Sequence, residues 1–355
     1  MITNKNKRIK KIIGILATII ISIPIVIIPV ATVVIYEAIF GMRYETLPWL
    51  WFDVEDYDGL KMEQSDFESN GVMLAGYKYF KDISDSKGVV VISHGLGGGG
   101  HNTYMPFVDY FTSNGYYVFT YDARGNDNSE GKSVEGFPQG IIDLDNAISH
   151  MSDIEEYENL PIFLLGHSWG GYSVGNVLCL HPEVKAAVII SGFNESENLL
   201  QYYSEKVIGD SIIDFLLLYV DMYEQIKFGK EYTEITAVSG MKNTEAAVMI
   251  VHSKDDTIVP TRYGYDNLYK EFSDSERVEF VLYEEKGHGF LYYSDEAIAY
   301  QEQLKKEYYD LVEEQNRDNE YYKEQFMDNY TNKEKCFELD PMLMNRILEM
   351  FENTE

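Results

Sequence analysis

Between Pro161 and Tyr172 the chain reads P-I-F-L-L-G-H-S-W-G-G-Y, and no other stretch constrains the fold as strongly. An apolar run of strand length, Ile162 to Leu165, stops at Gly166; Ser168 follows at the centre of G-H-S-W-G. Tyr172 to Leu180 then has helical patterning. A serine caught this tightly between a strand and a helix is forced into a strained backbone conformation. Gly166 and Gly170, two residues before and two after, remove the side chains that would clash there. Such a turn presents a hydroxyl above the carboxyl end of a sheet, beside the outward-facing N–H groups of a helix N-terminus.

The 355 residues suffice for one large α/β domain with insertions, or for two small domains. Hydrophobic residues at 45% and aromatics at 14% exclude global disorder. A net charge of -30 repels phosphate backbones and argues against nucleic-acid binding. Cys179 and Cys336 make no disulfide framework, and Cys179 reads as a core residue. With no CxxC, HExxH or P-loop pattern, neither a metal nor a cofactor is expected.

Residues 1–11 carry Lys5, Lys7, Arg8, Lys10 and Lys11 and no acid, and residues 12–35 carry no charge at all. That run is long enough to cross a hydrocarbon core of ~30 Å at ~1.5 Å per residue. Pro24 and Pro29 weaken a straight helix but are tolerated in membrane spans. Tyr36, Phe40, Tyr44, Trp49 and Trp51 follow like an interfacial belt, which favours an uncleaved anchor over a signal peptide. The reading predicts a transmembrane helix over 12–35, a juxtamembrane linker over 36–50 and a single-pass protein of the cell membrane. Its N-terminus would be cytoplasmic and the remainder extracytoplasmic.

From residue 51 the pattern alternates strand and helix. Ser69-Asn70-Gly71 turns one hairpin; strands are expected at Val89–Ser93, Tyr116–Tyr121, Pro161–Leu165, Val184–Ser191, Ala246–His252 and Glu279–Tyr283. Helices between them imply a mostly parallel sheet with right-handed crossovers. Residues 194–236 exceed what one crossover needs, and their Leu, Ile and Tyr content reads as a helical cap over the site. The core divides into 51–193 and 237–292. Residues 293–355 form a helical extension, expected to carry no chemistry, and end in an apolar stripe of Leu343, Met344, Ile347, Leu348 and Phe351.

Ser168 needs a base. Of seven histidines, only His288, in the glycine-flanked loop K-G-H-G-F, lies beyond the acidic candidates and after the last strand. His167 adjoins the serine but diverges from it, His252 precedes the acid, and His150 and His181 sit towards helix ends. The order serine, acid, histidine, with His94-Gly95-Leu96-Gly97 after an upstream strand, resembles the α/β-hydrolases. The nearest look is to their monoacylglycerol lipase, lysophospholipase and serine aminopeptidase-like group.

The resemblance implies an α/β-hydrolase fold and a serine hydrolase with Ser168, Asp256 and His288 as triad. Asp256 is placed by the D-T-I-V-P segment, Asp255 being its alternative; in some relatives the acid follows an earlier strand, where Glu195 and Glu197 stand. Backbone N–H groups of Leu96 and Trp169 would form the oxyanion hole, with Gly95, Gly97, Gly166 and Gly170 shaping the two turns. Asp122-Ala-Arg-Gly125 resembles the D-x-R-G-x-G-x-S turn, with Asp127 standing where its second glycine is usual. Gly95, Gly97 and Gly100 with Asp122 also fit a dinucleotide fingerprint, a rival that leaves the three catalytic loops unexplained. The expected activity is hydrolysis of an acyl or lysophospholipid-like ester through an acyl-enzyme. A serine aminopeptidase or amidase, a thioesterase, and a non-catalytic surface binding module are the alternatives. The substrate is expected to be a small molecule or lipid.

Overall fold

Strands β5 (Val89–Ser93) and β8 (Ala186–Ile190) consist of five residues each, every one buried, as a sheet covered on both faces requires. They belong to an eight-stranded sheet in the computed structural model, which describes residues 7–15, 22–82, 85–208, 213–315, 320–330 and 332–354. The other members are β1 (Lys61–Gln64), β4 (Gly76–Phe80), β6 (Tyr117–Tyr121), β7 (Ile162–His167), β9 (Ala247–Ser253) and β10 (Val278–Tyr283). Their spatial order is β1-β4-β6-β5-β7-β8-β9-β10. All neighbours from β6 to β10 are parallel; β1 and β4 continue one edge antiparallel. β2 (Phe67–Ser69) and β3 (Val72–Leu74) form the separate hairpin around Asn70-Gly71.

Helices cover both faces. On one lie α3 (Phe137–Ser152) and α4 (Trp169–Val177), whose Ile141, Leu144, Tyr172 and Val174 share a core with Val91 and Leu164. On the other, α2 (Met105–Ser113) packs beside α11 (Pro341–Glu352), where Phe351 stacks 4.5 Å from Phe163. The expected stripe on this last helix points inward, and the Asp340 carboxylate caps its first turn through the N–H groups of Met342 and Leu343. Parallel strands bring their carboxyl ends to one edge of the sheet, and the loops there hold the candidate site.

The segment 194–236 forms α5 (Ser196–Ile208) and α6 (Ile213–Phe228), followed beyond a short turn by α7 (Ala237–Lys242). Helix α8 (Tyr265–Phe272) crosses between β9 and β10; α9 (Asp295–Gln315) and α10 (Glu320–Tyr330) make the C-terminal extension.

The apolar run over 12–35 predicted a transmembrane helix, and here the structure differs. Among the described residues, no helix is long and apolar enough to cross a membrane. Residues 7–15 are helical and 16–21 lie outside the described residues; Ile23–Ile27 forms a wider π turn, and α1 (Ile28–Phe40) starts with Pro29 in its first turn. Pro29 has no N–H to donate, and it stands where the π turn gives way to α1, within a stretch that is helical from 22 to 40. The charged and aromatic end of α1 docks on α6 instead of ending at an interface. Glu37 accepts hydrogen bonds from the Tyr223 hydroxyl and Lys227, each at 2.6 Å, while Tyr36 and Phe40 are buried against Tyr223 and Phe137. The signal-anchor and the orientation inferred from the basic residues both depended on that span.

Glu224, in α6, is 3% exposed and joins α1 to the start of α5. Its carboxylate accepts from the Tyr36 hydroxyl at 2.7 Å and the Ser196 hydroxyl at 2.8 Å. Burial, reinforced by the charges of Asp221 and Glu197, outweighs these two bonds and raises its pKa to about 7. The folded state therefore holds a proton that the unfolded chain releases near pH 4.5, and stability falls as pH rises from there to about 7. The loss is on the order of 3 kcal/mol. Glu224→Gln removes this titration. Its melting temperature should match the wild type near pH 5 and exceed it at pH 8; equal melting temperatures at pH 8 would rule the effect out.

Candidate active site

Ser168 caps α4 with φ 57° and ψ −115°, a left-handed backbone that non-glycine residues rarely adopt. Its N–H is held by the Ile190 carbonyl at 2.8 Å and its own carbonyl by the Tyr172 N–H at 2.9 Å. The glycines permit this by close backbone approach. A Cβ on Gly166 would overlap the Gly170 carbonyl, and one on Gly170 would overlap that of Ser93.

His288 lies in the loop after β10, with Nε2 2.8 Å from Ser168 Oγ and Nδ1 2.8 Å from Asp256 Oδ2. With neutral imidazole, the serine hydroxyl donates to Nε2 and Nδ1–H donates to the carboxylate. Asp256 is buried at the turn after β9. Its other oxygen accepts from the N–H groups of Ile258 and Val259 at 2.9 and 2.8 Å. Burial alone would raise its pKa, but the hydrogen bond and charge of His288, with the Val259 N–H, hold it below the usual carboxylate range. An ionised carboxylate thus faces Nδ1.

The neighbouring acids stand elsewhere. Asp255 accepts from the Gly287 N–H at 2.8 Å and so braces the histidine loop, while Glu195 binds the Asn198 amide. Trp169 supplies the first N–H of α4, which has no intrahelical acceptor. Leu96 lies beside Ser168 in a cleft of about 260 Å³ whose walls include Leu50, Phe52, Tyr104, Tyr292 and Phe337. Gly95 donates its N–H to the Tyr104 hydroxyl at 3.0 Å, and Gly97 takes φ 89°.

Tyr104 and Ser191, absent from the sequence reading, and His167, read there only as the serine's neighbour, join these parts. Tyr104 lies 2.9 Å from His167 Nδ1, and His167 Nε2 lies 2.9 Å from the His288 carbonyl. Because the His288 carbonyl can only accept, His167 Nε2 carries the proton, which in a neutral ring leaves Nδ1 to accept from the Tyr104 hydroxyl. Burial, and then the charge of His288, pushes the His167 pKa down to about 3, so it stays neutral. The backbones of the oxyanion loop and of the base loop are linked through it. Ser191, at φ 47° after β8, donates its hydroxyl to Asp256 Oδ2 at 3.0 Å. A small polar residue ending the strand between those of Ser168 and Asp256 was the available signal.

The dinucleotide rival meets a closed door. Asp122 is fully buried and accepts from the backbone and ring of His101, from Tyr77 and from the Asn128 N–H. Asp127, the departure from the glycine pattern, accepts from the Thr46 N–H and hydroxyl and from the Gly100 N–H. It thereby ties the N-terminal linker to the glycine loop. The remaining histidines are structurally engaged: His150 with Ser65, His181 with Asp145 and Glu183, and His252 with the Val259 carbonyl. None of the cleft's described lining residues comes from 194–236, although Tyr203 in α5 donates to the Ile258 carbonyl at 2.7 Å. Phe337, from the extension expected to carry no chemistry, does line it.

Comparison with known proteins agrees with this geometry. Residues 84–212 match the family model described as serine aminopeptidase, S33. A monoglyceride lipase homolog of monkeypox virus is 32% identical over 117 residues, covering 32% of this chain and 41% of that protein. Caffeoylshikimate esterase of Arabidopsis thaliana is 29% identical over 128 residues, covering 35% and 39%. An esterase structure from Pyrococcus furiosus superposes with a TM-score of 0.53 at 15% identity, covering 78% of this chain and 98% of that one. The chain thus spans about two-fifths of the length of these two curated relatives. It has the fold of the α/β-hydrolases, and its residues 84–212 resemble the serine aminopeptidase S33 family.

The geometry separates the two aspartates. Asp256→Asn leaves the fold intact but spoils the tautomer that His288 must hold, and turnover should fall by up to ~10⁴-fold, as in a serine protease. Asp255→Asn keeps an oxygen for the Gly287 N–H and should cost far less. Initial rates on an activated ester compare them; a larger loss for Asp255→Asn would overturn the assignment.

Proposed function

We propose that the protein is a serine esterase that hydrolyses neutral carboxylic esters through an acyl-enzyme. The observation that carries this is the pair of 2.8 Å contacts linking Ser168, His288 and Asp256 at a strained elbow. His288 takes the Ser168 proton as Oγ attacks the ester carbonyl. The charge that develops on the carbonyl oxygen falls to the Trp169 and Leu96 N–H groups, a donor of this kind contributing ~2.7–4 kcal/mol. The imidazolium, stabilised by Asp256, protonates the departing alcohol. Water then attacks the acyl-enzyme, giving its proton to His288, and Ser168 leaves with that proton restored.

The names of the relatives, a monoglyceride lipase homolog and a caffeoylshikimate esterase, support an ester over an amide. The aminopeptidase description of the family model supports the opposite. The lining supports the ester: an aminopeptidase needs a carboxylate for the substrate's α-ammonium group, and no described residue lining the cleft is acidic.

A fluorophosphonate probe should label the wild type, and Ser168→Ala should remove the labelling without changing the melting profile. The wild type should hydrolyse p-nitrophenyl esters well and leave an amino-acid p-nitroanilide nearly untouched. Absence of labelling would favour a binding module, and faster turnover of the anilide would favour a peptidase.

A further inference from the structure

The cleft beside Ser168 is walled by two segments distant in sequence. Phe52 enters from the N-terminal linker and Phe337 from the C-terminal extension, their rings 5.2 Å apart at 73°. Both lie outside residues 84–212, the part that matches the family model.

Each ring is fixed from two sides. The Phe52 N–H donates to the Asn102 side-chain oxygen at 2.6 Å, and the Asn102 amide donates back to the Phe52 carbonyl at 2.8 Å. Asn102 follows the glycine-rich loop that carries Leu96, so the N-terminal wall is registered against the oxyanion side. The segment around Phe337 is laced to the chain just after His288. Ser294 N–H donates to the Glu338 carbonyl and Asp340 N–H to the Tyr292 carbonyl, each at 2.9 Å. Lys333 binds the two walls together, donating to the Trp51 carbonyl and to Asp56, with its ammonium 5.0 Å from the centre of the Phe52 ring. These walls are therefore part of the site's framework.

The cleft, open to solvent on one side, holds about 260 Å³, and its described lining residues include no carboxylate and no ammonium group. Drug-sized ligands occupy roughly 300–1,000 Å³, so this slot takes less. Resting on the esterase reading, we infer that the slot walled by Phe52 and Phe337 receives the acyl group and restricts the enzyme to short or single-ring, uncharged acyl esters. The acyl group is the part that stays on Ser168 between the two half-reactions. The alcohol must diffuse away before water can attack, and a slot whose two aromatic walls are held by hydrogen bonds and an ion pair suits the group that remains.

The test measures kcat/KM for p-nitrophenyl esters from acetyl to decanoyl, with fluorophosphonate labelling counting active sites in each preparation. The wild type should favour the short chains. Phe337→Ala should raise the octanoyl-to-butanoyl ratio about tenfold or more, since one methylene in an apolar pocket is worth ~10-fold or more and the variant vacates the space of a whole ring. Phe337→Trp should lower that ratio. A second arm varies the alcohol of butanoate esters. Unchanged ratios in both variants, with labelling retained, would overturn the inference while leaving the esterase reading intact. A shift confined to the alcohol series would overturn it too. A wild type that does not label would instead remove the esterase reading, and the acyl slot with it.

Discussion

The rest of the site depends on one unfavourable backbone conformation. Ser168 at φ 57° is held in a region that costs of order 1–3 kcal/mol for a side chain other than glycine. That cost is carried by two hydrogen bonds to the serine backbone and by the packing of β7 between β5 and β8. In return the hydroxyl projects from the carboxyl edge of the sheet, and the Trp169 N–H lies next to it at the start of a helix. A relaxed serine in the same place would lie along the strand or inside the helix and reach neither His288 nor the cleft.

Once the serine is fixed, the base and the oxyanion donors have to be fixed relative to it, although they sit on loops far apart in sequence. His167 does this without titrating. Its ring lies between the Tyr104 hydroxyl and the His288 carbonyl, and Tyr104 in turn receives the Gly95 N–H. An imidazole is useful here for having one donor and one acceptor on opposite sides. Burial keeps it neutral, so both roles persist while the neighbouring His288 gains and loses a proton.

The parts of this arrangement that were legible in the sequence have local chemical signatures. The elbow needs glycines at fixed offsets, the parallel strands need fully apolar β-branched runs, and the order of Ser168, Asp256 and His288 follows the chain; the structure brings these three side chains together. Asp255 and Asp256 differ by one residue, and only the turn after β9, with its N–H groups on Asp256, distinguishes their surroundings. The link made by His167 and the bond from Ser191 were not legible because neither residue belongs to a motif that names its partner. The uncharged run over 12–35 shows the limit from the other side. Hydropathy counts apolar residues and does not register helix length: many of the run's described side chains, Ile13, Ile25 and Val34 among them, are exposed, yet no described helix there is long enough to cross a membrane.

What lies outside the family-matched part therefore matters for the chemistry. The linker after α1 is hydrogen-bonded to the turn following β6, where the Tyr44 N–H donates to the Gly125 carbonyl and Asp127 N–H to the Tyr44 carbonyl. Asp127 also holds Thr46 against Gly100, so the linker and the glycine-rich loop share one carboxylate. A glycine at position 127, as the family pattern has it, would supply no such group and would leave the linker untied there. Replacing that glycine by an acid couples the path of the N-terminal chain to the loop that carries Leu96. The same linker delivers Phe52 to the cleft a few residues later. Through Asp127 and Asn102 together, that segment sets one wall of the cleft and braces the glycine-rich loop that carries Leu96.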